Sequence, residues 1–316
     1  MGHKPHASHT IHRHHVHHGW DNALEPVLEV APGDVVELEV LDASGGQFHR
    51  RSTAADVAEL DFARINPVTG PVFVQGAEPG DVLAVEILEL RPSGWGWTAL
   101  IPGFGLLADA FPDPEIKIWD YGCNDDEAVF DDGIRIPIQP FPGTIGVAPG
   151  DAGLHSIVPP YDSGGNMDIR HLTAGSVLYL PVKVPGALFS VGDTHAAQGD
   201  GEVCGTAIES SMTLTVRLSL RRDMSIGQPQ YRLPGPVDDA RSALGFHVTT
   251  GIADDVMDAA RLAVKEMVAH LVEVRGLGEV EAYMLASVTV DLRISELVNA
   301  PNSVVSAFLP QSIFRS

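Results

Sequence analysis

Alternation of apolar and polar side chains is the most regular feature of the first two-thirds of the chain. Val35-Val36-Glu37-Leu38-Glu39-Val40 and Val82-Leu83-Ala84-Val85-Glu86-Ile87 each follow a Pro-Gly-Asp triplet, at 32–34 and 79–81. Proline presets φ at the first turn position and glycine supplies the positive φ of a type II turn, so each triplet reads as a turn that launches a half-buried strand. Ser176 to Val184 follows Ala174-Gly175 in the same manner, and Ser211 to Leu220 alternates throughout. Repeated strands of this kind predict a jelly-roll-like β-sandwich.

The pattern changes near the C-terminus. From Asp254 to Arg275, Val256, Ala260, Ala263, Met267, Val268 and Leu271 recur at spacings of three and four, with Asp254 and Asp255 at the start, Arg275 at the end and Gly276 after it. That predicts a long helix with charges complementing its dipole. A shorter helix over 279–287 and a strand from Thr289 to Leu297 complete the reading. The fold class expected is mainly β, with a C-terminal α+β elaboration. Its parts are a histidine-rich segment over 1–18, a β-sandwich core over 19–222 and an α+β region over 223–316 packed on that core.

Composition narrows the function classes. The 42 acidic residues outnumber the 20 Lys and Arg, for a formal charge of −22, which disfavours nucleic acid and anionic membranes as partners. Cys123 and Cys204 are too few for a disulfide framework. No apolar run approaches the roughly 20 residues of a membrane span, and no hydrophobic signal core is present, so a cytoplasmic enzyme is expected. Eight of the 14 histidines lie within the first 18 residues: His3, His6, His9, His12, His14, His15, His17 and His18. An edge strand or mobile segment with adventitious metal affinity explains them better than catalysis. His18, beside Trp20, is the one placed where the ordered pattern begins.

The chemistry concentrates between Val191 and Glu209, where Asp193, His195, Asp200, Glu202 and Glu209 are interspersed with four glycines. Glycine lets backbone approach an ion, and clustered carboxylates repel unless a cation sits among them. Imidazole nitrogen with carboxylate oxygen suits Zn²⁺. In Asp193-Thr194-His195 the first and third residues point to one face of a strand. Upstream, Gly164-Gly165 makes a turn after which Asn166 and Asp168 share a face, and Arg170, in the same alternation, could orient a carboxylate or the substrate. Aspartate and glycine also form ordinary hairpin turns, so spacing alone leaves a turn reading open for Asp193 or Asp200 taken singly.

The run Gly192-Asp193-Thr194-His195 through Gly199-Asp200-Gly201-Glu202 to Gly205-Thr206-Ala207-Ile208-Glu209 resembles the signature of the acetamidase/formamidase family. So do Gly164-Gly165-Asn166-Met167-Asp168, Asn66 to Val72 with Glu78-Pro79-Gly80-Asp81, and Gly143 to Pro149, all in the expected order. The resemblance implies a mostly β fold in dimers or higher homo-oligomers that hydrolyses formamide, acetamide or related short amides with Zn²⁺, sometimes beside a second, calcium-like ion. It implies Asp193, His195 and Asp168 as principal metal ligands, Glu209 as a further one, and Asp200 for a second ion. Glu202 is then the general base and acid, and Asn166 or backbone amides stabilise the oxyanion. Trp95, Trp97 and Phe104 are candidate pocket walls, with a reading as plain core aromatics of equal weight. Two rivals are a thiol amidase using Cys204 or Cys123, and a metal-binding β-sandwich that binds a ligand without turning it over.

Overall fold

The computed structural model of the chain describes residues 7–314 apart from 106–107, 110, 132–133, 203, 236–243, 280–281, 283–289 and 312–313. Two β-sheets form the body. The larger has nine strands in the order His9–Ile11, Val35–Val40, Met212–Arg221, Val82–Pro92, Val177–Pro181, Gln230–Leu233, Phe246–Ala253, Ser303–Pro310 and Asp291–Glu296. The second runs Pro160–Tyr161, Gly164–Asn166, Phe141–Gly146, Phe189–His195, Val68–Val74 and Val16–His17, with Leu28–Val30 also paired to Val68–Val74. Their facing side chains share one apolar core, to which Val36, Leu38 and Val85 contribute from the first sheet and Val72, Ile145 and Phe189 from the second. The mainly β sandwich is therefore as its alternation indicates.

Both runs after Pro-Gly-Asp are strands, the second longer than its clearest alternation because it pairs with Met212–Arg221 as far as Pro92. The histidine-rich leader is woven into the sheet edges: His9–Ile11 pairs parallel with Val35–Val40, and His17 pairs with Val68. His17 Nδ1 donates to Gly19 O at 2.7 Å, so its Nε2 accepts from Ser190 Oγ at 2.8 Å, and burial lowers its pKa. His3 and His6 lie outside the described residues.

Residues beyond 222 supply four of the nine strands of the larger sheet. The long helix spans Val256–Arg275; Asp255 Oδ1 accepts from Met257 N and Asp258 N at its start, and Gly276 takes the left-handed φ that stops it. It lies on strands Phe246–Ala253 and Ser303–Pro310, burying Ala259, Ala263, Met267 and Leu271. Ser303–Pro310 is consequently covered on both faces, with Val305, Ala307 and Leu309 under the helix and Val304 and Phe308 in the sandwich core. The strand expected from Thr289 is seen at Asp291–Glu296, whereas most of the shorter helix expected over 279–287 lies outside the described residues. No described helix is long and apolar enough to cross a membrane.

Gly251 sets how closely the helix approaches. A Cβ there would meet Ala259 O at 1.9 Å and Ala263 N at 2.5 Å, both backbone atoms that cannot swing aside. Gly251→Ala should therefore lower stability by about 3 kcal/mol through overpacking, read as a fall in the urea midpoint. A midpoint unchanged from wild type would show that the helix lifts off at no cost.

Candidate active site

The second sheet ends in the site. Strand Phe189–His195 carries Asp193 and His195, strand Gly164–Asn166 leads into Asp168, and Glu209 is pinned beside His195 by backbone hydrogen bonds with Trp97. Glu202 comes from the loop between them, whose Gly201 bridges to Glu296. Asp168, Asp193, His195, Glu202 and Glu209 are all buried, none more than 6% exposed. His195 Nε2 lies 3.1 Å from Asp193 Oδ1 and 3.1 Å from Glu209 Oε2, and Phe141 packs edge-on against the ring. Potential ligand atoms of Asp168, Asp193 and His195 lie within 4.8 Å of one another, as do those of His195, Glu202 and Glu209.

Each carboxylate around the imidazole has one oxygen held from outside and one turned inward. Asp168 Oδ2 accepts from Asn299 Nδ2, Asp193 Oδ2 from Asn66 Nδ2, and Glu209 Oε1 from Ala207 N. Asp168 Oδ1 is buried with no hydrogen-bond partner among the described residues, a state that costs about 1–3 kcal/mol when nothing compensates it, and Glu209 Oε2 faces only His195 Nε2. Gly143 leaves the necessary space, since a Cβ there would sit 2.5 Å from Asp168 Oδ1 and 2.8 Å from His195 Cε1. One imidazole nitrogen and inward carboxylate oxygens are the donor set of a divalent ion such as Zn²⁺, and these residues fit one.

The backbone is strained where it matters. Asn66, Asp168, Asp193 and Glu202 all take φ between 44° and 50°, the left-handed region that non-glycine residues rarely occupy. Burial pushes Asp168 up to about 7 and Glu209 up to about 8; the Asp193 charge adds to both, while His195 opposes it. Glu202 is raised well above the usual carboxylate range by burial and then by Asp168. Burial alone would lower His195, yet the charges of Glu209 and Asp193 hold it well above its ordinary value. Asp193 is lowered, because His195 outweighs its burial.

A cavity of about 40 Å³ opens onto the cluster, lined on its apolar side by Leu60, Phe62, Trp97 and Phe104. At roughly 10–15 Å³ per water-sized occupant, that admits about three non-hydrogen atoms. Glu202 and Thr206 also border a wider groove of about 930 Å³, walled by Trp119, Phe130, Ile136 and Ile138. Trp97 and Phe104 thus face the inner cavity, Trp97 Nε1 being held by Asp42. Trp95 does not line the cavity; it packs against the same apolar cluster as Trp97, beneath Arg50.

Asp200 stands apart from the other acids. It lines the outer groove, is part-exposed and pairs with Arg170 Nε at 3.1 Å, so its charge already has a counter-ion and Arg170 is engaged there. Asn166 lines the inner cavity, but Thr144 Oγ1 donates to its Oδ1 and its Nδ2 donates to Val158 O, leaving one N–H uncommitted. Cys123 is exposed, and the partners of Cys204 Sγ among the described residues are the carbonyl and hydroxyl of Thr206, neither a base that could ionise a thiol. Sequence reasoning missed Gln198, Asn299 and Glu296. Glu296 Oε1 accepts from Val298 N and Asn299 N, shaping the turn that delivers Asn299 to Asp168.

A family model described as the Acetamidase/Formamidase family matches residues 4–157 and 152–316. The chain belongs to the acetamidase/formamidase family. It is 30% identical over 367 residues to a formamidase of Methylophilus methylotrophus, covering 95% of this chain and 89% of the relative. The crystal structure of a recombinant predicted acetamidase/formamidase from Thermoanaerobacter tengcongensis superimposes with a TM-score of 0.87 at 29% identity, covering 96% of each chain. The acetamidase of Bacillus halodurans gives 0.85 at 31% identity, covering 95% of this chain and 96% of the other. As a member of this family the chain is an amidohydrolase.

The buried acids give the family member a pH-dependent stability. Folded Asp168 and Glu209, with pKa values of about 7 and 8, hold protons that the unfolded chain releases near the ordinary carboxylate pKa. Their contribution is therefore full at acid pH and lost as pH rises through about 7 to 8; His195, also raised, acts in the same sense, and Asp193 acts oppositely only below its ordinary value. Chelated protein should melt at lower temperature at pH 8.5 than at pH 6, and excess Zn²⁺ should remove most of the difference. Identical melting profiles with and without Zn²⁺ would count against a cation among these side chains.

Proposed function

We propose that this acetamidase/formamidase hydrolyses short aliphatic amides, formamide and acetamide foremost, at a divalent-metal centre held by Asp168, Asp193, His195 and Glu209. The observation that carries the proposal is the convergence of buried carboxylate oxygens on His195 within ligand reach of one another, with Asp168 Oδ1 left without a partner among the described residues. When bound, Zn²⁺ supplies Lewis acidity, polarising a carbonyl and acidifying water. The small inner cavity supports a substrate of three or four non-hydrogen atoms, with Phe104 and Trp97 as its apolar wall.

Glu202 is the proton carrier in this reading. It borders both the inner cavity and the outer groove, and burial, with Asp168 beside it, raises its pKa so that it holds a proton more readily than an ordinary carboxylate. It takes a proton from the attacking water as the C–O bond forms. It then delivers that proton to nitrogen as the C–N bond breaks, so ammonia rather than an amide anion leaves. The uncommitted N–H of Asn166 is the side-chain donor for the developing oxyanion. A second, calcium-like ion at Asp200 is not proposed, since Arg170 already neutralises that carboxylate. Homo-oligomeric assembly belongs to the same reading through the family resemblance.

Ammonia release from formamide and acetamide should cease on chelation and return with Zn²⁺. Glu202→Gln should retain the ion yet lose about 10²–10⁴-fold in kcat. Undiminished turnover would remove Glu202 from the mechanism, and turnover indifferent to chelation would remove the metal. Phe104→Ala, by lengthening the cavity, should shift kcat/KM from acetamide toward butyramide; an unchanged ratio would place the size limit elsewhere.

A further inference from the structure

Gln198 lies three residues beyond His195 and makes two hydrogen bonds whose directions can be assigned from chemistry alone. Its Nε2 is 3.0 Å from the backbone carbonyl of Asp168, an oxygen that can only accept. The amide nitrogen must therefore occupy that end, and Oε1 must face His195 Nδ1, at 2.8 Å. A carboxamide oxygen is also only an acceptor, so Nδ1 carries a hydrogen. Nε2 lies 3.1 Å from both Asp193 Oδ1 and Glu209 Oε2, to which it donates while the ring is an imidazolium. Once that proton is displaced, Nδ1–H stays on Gln198 Oε1 and the Nε2 lone pair faces carboxylate oxygens, the arrangement a divalent cation between them would take up.

We infer that Gln198 is a positioning residue that fixes His195 in the Nδ1-protonated tautomer and so presents Nε2 to a divalent cation. The same side chain ties the backbone of Asp168 to the ring of His195, setting the separation of two ligands that come from different segments of the chain. Gln198 itself touches neither the inward oxygens nor the inner cavity; it lines the outer groove, behind the ring. Its action is thus through His195. Partners of this kind behind a ligating imidazole set ligand orientation and basicity, and their loss commonly weakens metal binding by about 10–100-fold. The inference rests on the metal centre proposed above.

The test uses Zn²⁺ binding to the full chain, with nitrogen-15 histidine NMR as a readout independent of turnover. Gln198→Met keeps the side-chain length but removes both hydrogen bonds, and should weaken Zn²⁺ binding by about 10–100-fold. Gln198→Glu keeps an acceptor for Nδ1–H and should bind Zn²⁺ with near wild-type affinity. In Zn²⁺-loaded wild type the His195 proton should reside on Nδ1, with the Nε2 resonance displaced by the ion. Wild-type affinity in Gln198→Met, a proton on Nε2, or an equal loss in both variants would each overturn the inference. A wild-type protein that binds Zn²⁺ but releases no ammonia would remove the proposed reaction and leave the role of Gln198 standing. If wild type takes no Zn²⁺, the metal reading and this inference both fall.

Discussion

The site is governed by the cost of burying like charges together. Asp168, Asp193, Glu202 and Glu209 converge on a single imidazole, all nearly excluded from solvent, where a carboxylate has lost its hydration and repels its neighbours strongly. Protons offset part of this, which is why three of the four acids are shifted upward and His195 is held charged. Neutral donors offset another part, through Asn66, Asn299 and the Ala207 amide. Among the described residues neither reaches the inward oxygen of Asp168, and that of Glu209 is met by His195 alone. One imidazolium against four buried acids leaves the centre rich in negative charge, and the reading of the chemistry follows from that.

The framework around the cluster exists to maintain this crowding. Left-handed backbone at Asp168, Asp193 and Glu202 costs of order 1–3 kcal/mol per residue, and it persists because the surrounding sheet over-determines each position. Gly143 contributes by having no side chain, and Asp42 by holding Trp97, whose ring closes the small cavity. Rigidity and small volume go together here. A site that accommodates only a few non-hydrogen atoms gains little from substrate contacts, so its preorganised charge has to carry most of the discrimination.

Legibility in the sequence followed the range of the interactions. Turns set by Pro-Gly-Asp and the helix capped by Asp255 are decided within a few residues, and the strands and helix stand close to where the pattern placed them. Asp193, His195, Glu202 and Glu209 were readable as a group because they are close in the chain, and Asp168 entered through the family resemblance. Asp200 shows the limit of that local reading: between two glycines in an acidic run it reads like its neighbours, while in space it pairs with Arg170 from another segment. Asn299 reaches Asp168 across 131 residues of chain, and no local pattern marks an asparagine for that task. The left-handed conformations were equally silent, since no glycine announces them.

Because the strand Ser303–Pro310 completes the larger sheet and Asn299 just before it steadies Asp168, the catalytic pocket draws on almost the whole length of the polypeptide. A nascent chain still short of its last twenty residues exposes the edge of Phe246–Ala253 and leaves Asp168 without its amide partner. The four acids and the imidazole therefore settle into their crowded arrangement only after a segment more than a hundred residues downstream of Asp168 has joined the sheet.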